Sequence, residues 1–120
     1  MNSKKQLSFH KRSKEDFDDF IKKLELQALE TAEERIPLYL EVGVKDANLI
    51  LDIGCGSGMV TRDLAHLTKG KVIAIDGSTE MINVAKKVLA FMIMLSYVLV
   101  MLRIYHLKMI CLILQLATFF

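Results

Sequence analysis

The sequence predicts an α/β fold built on a parallel sheet, and three observations carry that prediction. An apolar run from Asn48 to Ile53 has aliphatic residues at consecutive positions, as expected for a parallel strand that is buried on both faces. Three glycines follow at alternate positions, at Gly54, Gly56 and Gly58, and a helix-like segment comes next. A second apolar run then ends in Asp76. This order of strand, glycine turn, helix, strand and acid is typical of units that bind nucleotide-like ligands.

The composition divides the chain into two parts of different character. The 120 residues allow one domain, and the formal net charge of +2 is too small to indicate nucleic-acid binding by itself. All 14 acidic residues lie at or before Glu80, and every glycine lies before residue 78. We therefore predict a flexible basic arm over residues 1–12, a partial α/β domain over 13–87 and an apolar tail over 88–120.

An amphipathic helix is predicted before the first strand. Ser13 and Asp16 form a capping-box pattern, and apolar residues then recur at helical spacing up to about Arg35. Pro37 stands where a second short helix can begin, and Gly43 is predicted to end that helix. The long helix either packs on the sheet or covers a substrate pocket as a lid, and we favour packing.

The elements after the glycine turn follow from the same patterns. We predict a helix from Val60 to Leu67, which Lys69 and Gly70 end, and a second strand from Lys71 to Ile75. A further helix is expected from Ser78 to about Val88. These elements place the glycine turn and Asp76 at one edge of the sheet.

The glycine turn has the chemistry of a ligand cradle. The N-terminus of a helix exposes unpaired N–H groups, and glycines let a ligand approach the backbone closely. The sequence GCGSG has no following GK[ST], so it is not a phosphate-binding P-loop, and it is not the GxGxxG of dinucleotide-binding proteins. The turn could also simply tighten a strand–helix joint, but the acids that end both strands favour binding.

These residues resemble a known family. The segments LDIGCGSG and VIAIDGSTEMINVAKK resemble the first two motifs of class I S-adenosylmethionine-dependent methyltransferases over about Leu49 to Lys87. The resemblance implies a Rossmann-like methyltransferase fold. We predict that this fold is truncated after the second strand–helix unit, with residues 13–87 as a partial methyltransferase domain followed by an apolar helical C-terminal tail. It also implies methyl transfer from S-adenosylmethionine to an acceptor, which we expect to be a small molecule.

The resemblance also implies which residues bind the cofactor, whereas it names no catalytic residue and no metal. The methionine part would lie over Asp52, Gly54, Gly56 and Gly58. Asp76 would accept hydrogen bonds from the two ribose hydroxyls. Met81 matches a position near the adenine, and a plain core methionine is an equally good interpretation of it.

Two alternatives to a methyltransferase stay open at this stage. A fragment of a nicotinamide-dependent oxidoreductase would also need the glycine turn and the second acid, although GCGSG argues against it. A small membrane-associated protein without enzyme activity could be anchored by the apolar tail. The cysteines, Cys55 and Cys111, indicate reduced thiols and a cytoplasmic protein.

The tail lacks the motifs that the family would show next, namely an acidic segment of the type GDAxxLPF and a strand with FDxV character. Reading the tail with a shift of one base, and with free choice at the degenerate codon bases, allows both motifs to be recovered. The pairs Met92-Ile93 and Met109-Ile110 then force aspartates, and Leu99 to Leu107 can be read as GDAENLPF. Lys108 to Thr118 can continue as EDDMFDFAISH. We therefore predict a frameshift near residue 90 and an inactive fragment.

Overall fold

The computed structural model describes residues 13–102, in which helices alternate with three parallel strands. The predicted basic arm and the part of the apolar tail after residue 102 lie outside the described residues. The helices and strands in chain order are α1 (Lys14–Glu41), a short 3-10 helix (Val44–Asp46), β1 (Leu49–Ile53), α2 (Met59–Leu67), β2 (Lys71–Asp76), α3 (Thr79–Val88), α4 (Ala90–Met94) and β3 (Val98–Leu102).

Helix α1 begins as the sequence predicts but does not divide at its proline. The Ser13 hydroxyl accepts a hydrogen bond from the Asp16 N–H at 3.1 Å, and the Asp16 side chain accepts one in return from the Ser13 backbone. The predicted second helix at Pro37 is wrong, because Pro37 lies inside one helix of 28 residues. A proline removes a single N–H from the helix, and the hydrogen bonds around it maintain the rest. Gly43 follows the helix with a left-handed φ of +91°, close to the predicted end.

The sheet has the order β1-β2-β3, and all neighbouring strands are parallel. Ile53 pairs with Ile75, and Asp76 pairs with Leu102, so the strands end at a common edge. In parallel α/β sheets, ligands bind at this carboxyl edge. The glycine turn after β1 and the turn after β2 therefore meet where the sequence predicts a site.

The third strand lies beyond the point at which the sequence predicts truncation. The α/β class and the first two strands are confirmed. The sequence predicts an apolar helical tail from residue 88 onward, whereas the structure forms the strand β3 as well as the helix α4 from residues 88–102. The turn between these elements depends on Ser96, which has a left-handed φ of +61° without being glycine. The Tyr97 N–H closes this turn on the Met92 carbonyl at 3.0 Å. No glycine or proline marks the turn, so the pattern gave no signal for it.

Helices α2 and α3 cover one face of the sheet and form the core with it. Alternate residues of β2 and β3 face these helices, as a strand period of two requires. The core consists of Val44, Cys55, Leu64, Val72, Ala74, Ile82, Ala85, Leu89, Val98 and Val100. This arrangement fixes the first turn of α2 directly behind the glycine turn.

Between residues 13 and 102, no helix is long and apolar enough to cross a membrane. Helix α1 has the length, but charged residues recur along it. The alternative of a membrane-anchored protein depends on the tail, most of which the structure does not describe.

Candidate functional site

The glycine turn after β1 has a backbone that glycine alone adopts without strain. Gly54 and Gly56 have φ values of +77° and +52°, in the left-handed region. The N–H groups of Gly54 and Cys55 both donate to the Ile75 carbonyl, at 2.7 and 2.9 Å, and so tie the turn to the end of β2. A Cβ atom on Gly54 would have no heavy atom within 4 Å. The backbone at Gly54 is therefore open to a ligand.

Gly58 belongs to the same turn but serves packing. A Cβ atom there would lie 3.0 Å from Leu89 Cδ1 and 3.3 Å from the Cα of Ala85. The turn passes this close to α3 because Gly58 has no side chain. Of the three glycines that the resemblance assigns to the cofactor, Gly54 and Gly56 line a cavity, whereas Gly58 holds the turn against α3.

The Asp76 carboxylate connects the glycine turn to the start of α3. Its Oδ2 accepts a hydrogen bond from the Gly56 N–H, and its Oδ1 accepts one from the Ser78 N–H, both at 2.9 Å. Ser78 in turn caps α3, because its hydroxyl accepts the Met81 N–H at 3.3 Å. A carboxylate can accept about four hydrogen bonds, so Asp76 retains capacity for two hydroxyl groups.

The Asp52 carboxylate forms a hydrogen bond with a residue of α2. Its Oδ2 accepts a hydrogen bond of 2.7 Å from the hydroxyl of Thr61, a residue of α2 that is completely buried. Asp52 does not line the cavity that Gly54 and Gly56 line. Sequence reasoning missed Thr61, although a threonine at helical spacing from the apolar Leu64 could have indicated a buried polar contact.

A cavity of about 310 Å³ lies between the glycine turn and α1. Helix α1 supplies the outer wall, so the predicted alternative of a helix that covers a pocket describes its position better than packing on the sheet alone. The wall contains three polar side chains in addition to apolar ones. The lining residues from α1 are Leu24, Gln27, Ala28, Thr31 and Arg35.

Arg35 holds α1 in this position. Its guanidinium donates to Asp63 Oδ2 on α2 at 3.1 Å and to the Ala28 carbonyl at 2.6 Å. Its Nε donates to the Thr31 hydroxyl at 3.2 Å, and the Tyr39 ring lies 5.7 Å away. Both charged side chains of the ion pair are mostly buried, with 16% and 21% of their surface exposed. The outer wall of the cavity is therefore anchored to α2 through one side chain.

Two carboxylates, Asp52 and Asp76, give the glycine turn a negative electrostatic environment. Burial, and after it the charges of Asp52 and Asp76, together raise the pKa of the Cys55 thiol from 9.0 to about 12. The thiol is thus neutral at physiological pH and is not an activated nucleophile. The same two carboxylates favour a positively charged ligand group near the turn.

Met81 lies in the first turn of α3, half-buried, and does not line the cavity beside the glycine turn. Its assignment to the adenine stays a prediction. Within the described range, no group of three or more metal-ligating side chains comes together.

Comparisons with known proteins agree with this geometry. A family model described as a methyltransferase domain matches residues 50–103. A SAM-dependent methyltransferase from Aquifex aeolicus has a solved structure that is 33% identical, with a TM-score of 0.50 over 57% of this chain and 37% of that one. A methyltransferase from Geobacter sulfurreducens is 20% identical, with a TM-score of 0.49 over 69% and 47% of the two chains. No curated protein sequence matches.

The chain spans less than half the length of either solved structure. The family match ends at residue 103 and so includes β3, beyond the predicted domain boundary at residue 87. The match, the parallel order of the strands and the open glycine turn at their carboxyl edge point to the same family. Residues 50–103 thus match a methyltransferase domain, and residues 13–102 have a Rossmann-like methyltransferase fold that comprises three parallel strands.

Proposed function

We propose that the glycine turn and the cavity beside it bind S-adenosylmethionine, and that the protein transfers a methyl group to a small-molecule acceptor. One observation carries this proposal. An open, left-handed glycine backbone at Gly54 and Gly56 lines a cavity, and the carboxylate of Asp76 binds the same backbone directly. This arrangement offers a cradle and a diol acceptor side by side.

The residues beside the turn fit the methionine end of the cofactor. The cavity is bounded by the backbone of Gly54 and Gly56 on one side and by Gln27 and Thr31 of α1 on the other. Amide and hydroxyl groups can bind an amino-acid carboxylate. A sulfonium and an ammonium group are stabilised by nearby negative charge, which Asp52 and Asp76 can supply at the turn; after burial, the charges of these two carboxylates also contribute to the raised pKa of Cys55.

Asp76 fits the ribose. Two hydroxyl groups on adjacent carbons can donate to the two oxygens of one carboxylate, and each Asp76 oxygen has one protein donor at 2.9 Å and room for another. The bond to Gly56 also places that carboxylate next to the cavity wall. One ligand can therefore place its ribose at Asp76 and its methionine part in the cavity.

The cofactor would supply an electrophilic methyl group, so the protein needs no covalent nucleophile. Its residues would hold the donor, and an acceptor brought in line with it would react largely because of positioning. The neutral Cys55 thiol agrees with this role, since the turn then provides structure and no competing nucleophile. We also infer a cytoplasmic location, which the free and buried Cys55 supports.

We further propose that this chain alone is inactive and binds the cofactor weakly. Within residues 13–102, three strands supply part of the carboxyl edge of the sheet, and the related solved structure is more than twice as long as the part that matches. A site that spans several strand ends loses affinity when some of its wall is missing.

Ligand-observed saturation-transfer NMR tests the site, because it detects weak binding. S-adenosylhomocysteine, which has the same ribose and amino-acid ends, should receive saturation from the chain, and NAD should not. Gly56→Val should abolish the effect, because Gly56 has a φ of +52° and lines the cavity.

Val42→Ala is the control, because Val42 is 78% exposed and does not line the cavity. This variant should behave as the wild type. Equal saturation of NAD, or retained saturation of S-adenosylhomocysteine in Gly56→Val, would overturn the proposal.

A further inference from the structure

The hydroxyl of Thr61 makes a contact that is unusual for a threonine inside a helix. Helical threonines commonly return their hydroxyl to a carbonyl of the preceding turn. Thr61 instead donates out of α2 to Asp52 Oδ2 on β1, at 2.7 Å, with none of its surface exposed. A hydrogen bond to a carboxylate is stronger than one between neutral groups, and an unpaired buried hydroxyl is costly.

This hydrogen bond closes the base of the glycine turn. Asp52 is the last but one residue of β1, and Thr61 is the third residue of α2, so the bond spans residues 53–60. The three left-handed glycines lie in that span, and glycines leave a backbone with many accessible conformations. No side chain caps the start of α2 at Gly58, so the bond to Asp52 fixes this helix end to the strand.

The same bond accounts for the position of Asp52. Its carboxylate lies near the N-terminal turn of α2, where the helix dipole stabilises negative charge. The cavity is lined by Gly54, Gly56 and their neighbours, without Asp52. Asp52 therefore acts on the site through the shape of the turn.

We propose that Thr61 is a positioning residue, which holds Asp52 so that the glycine turn keeps its open form before any ligand binds. The functional part of this inference rests on the proposed cofactor site. Its structural part concerns the ligand-free chain and can be tested separately.

Two substitutions at Thr61 separate positioning from packing. Thr61→Val keeps the side-chain shape and removes the hydroxyl, whereas Thr61→Ser keeps the hydroxyl and removes a methyl group. Positioning predicts that the amide hydrogen of Gly56 in the ligand-free chain exchanges faster in Thr61→Val, on the order of tenfold, as expected for loss of one charge-assisted hydrogen bond. Thr61→Ser should remain near the wild-type rate. A packing role predicts the reverse order, and that result would overturn the proposal.

Binding of S-adenosylhomocysteine, followed by saturation-transfer NMR, should show the same order, with Thr61→Ser close to wild type and Thr61→Val weaker.

Should Thr61→Val fail to fold, Asp52→Asn replaces it. This variant keeps an acceptor oxygen for Thr61 but loses the charge, so exchange at Gly56 should accelerate by a smaller factor, and an unchanged rate contradicts the proposal. If the wild type binds no S-adenosylhomocysteine but the Gly56 exchange rates follow the predicted order, the proposed function is refuted and the positioning role of Thr61 is not. Ligand binding that is equal in Thr61→Val and wild type refutes the positioning role.

Discussion

At the scale of single residues, the Asp76 carboxylate has two roles: it holds the glycine turn and the start of α3 in place, and it is the proposed acceptor for the ribose hydroxyls. It accepts the Gly56 N–H and the Ser78 N–H through different oxygens. Removing it should therefore disturb the glycine turn as well as the ribose position. The two effects differ in whether they depend on the hydroxyl groups of the ligand.

The first prediction separates these effects with a ligand analogue. Asp76→Ala should weaken S-adenosylhomocysteine more than its 2′,3′-dideoxy analogue, but it should weaken both, because the Gly56 contact is lost in either case. Competition titrations monitored by ligand NMR measure the ratio. An analogue that binds wild type and variant equally would show that Asp76 has no role in shaping the turn.

The second prediction concerns the thiol of Cys55. Its pKa is raised from 9.0 to about 12, first by burial and then by the charges of Asp52 and Asp76. The native thiol should react with iodoacetamide far more slowly than the thiol of the unfolded chain at about pH 8, since the thiolate is the nucleophile. A Cys111→Ser background leaves Cys55 as the single thiol. Equal rates in folded and unfolded chains would contradict the buried position.

The same shift has a consequence for stability with a definite sign. A pKa that is higher in the folded state gives stability that is fully present below pH 9.0 and is lost as the pH rises toward about 12. Thermal unfolding of Cys55→Ala should therefore depend less on pH over that interval than unfolding of the chain that retains Cys55. Parallel pH dependences would contradict this expectation.

At the scale of elements, α1 depends on few contacts for its position. Ala28, with 8% of its surface exposed, is the one buried residue of α1. The hydrogen bonds from Arg35 reach Thr31 and Ala28 within the helix and Asp63 on α2. Because α1 forms the outer wall of the cavity, the strength of this anchor sets how firmly the wall is held.

The third prediction tests that anchor. Arg35→Met should lower the free energy of unfolding by about 2 kcal/mol, because it removes several hydrogen bonds and leaves the mostly buried Asp63 without its charged partner. Urea denaturation measures the difference. Lys23→Met, at an exposed position of the same helix, is the control and should change stability by less than about 0.5 kcal/mol. Equal effects of the two substitutions would show that Arg35 does not anchor α1.

The elements that sequence patterns predicted well are those with a strong local signal. The strands β1 and β2 are continuous apolar runs, and the helices α2 and α3 have a helical period; glycine, serine or lysine marks an end of each element. The structure places all four within about two residues of the predicted bounds. β3 was missed because Ser96 forms its entry turn in a conformation that usually signals glycine. The sequence predicts a helix boundary at Pro37 because proline disfavours the interior of a helix. A short stretch of sequence does not show that the long helix on both sides tolerates this proline.

The candidate site could be predicted only in part, for a related reason. Left-handed glycines and the acid at a strand end are local features, and they lie together as expected. The contacts of Thr61 with Asp52 and of Arg35 with Asp63 connect residues whose proximity depends on how helices pack. The packing role of Gly58 likewise depends on Leu89, which lies far along the chain.

At the scale of the whole molecule, the apolar tail remains the feature that the fold explains least. Val98 to Leu102 joins the sheet, and the family match ends one residue later. The residues that follow lie outside the described range, and the frameshift near residue 90 stays a prediction.

The fourth prediction is that the encoding DNA, read one base out of frame through codons 99–118, contains the segments GDAENLPF and EDDMFDFAISH. The Met-Ile pair at residues 109 and 110 forces one of these aspartates whatever codons surround it. Sequencing across codons 85–120 and beyond measures this. Stop codons or unrelated residues in the shifted frame would end the hypothesis.

The most direct measurement of the central claim is a titration of the ¹⁵N-labelled chain with S-adenosylhomocysteine, followed by amide chemical shifts. We predict affinity in the millimolar range, with the largest shifts at Gly54, Gly56 and Ser78 and smaller ones at Gln27 and Thr31 on the facing wall of the cavity. Unchanged shifts at Gly54 and Gly56 under saturating ligand would contradict the cofactor site. Micromolar affinity would contradict the claim that this chain holds only part of it.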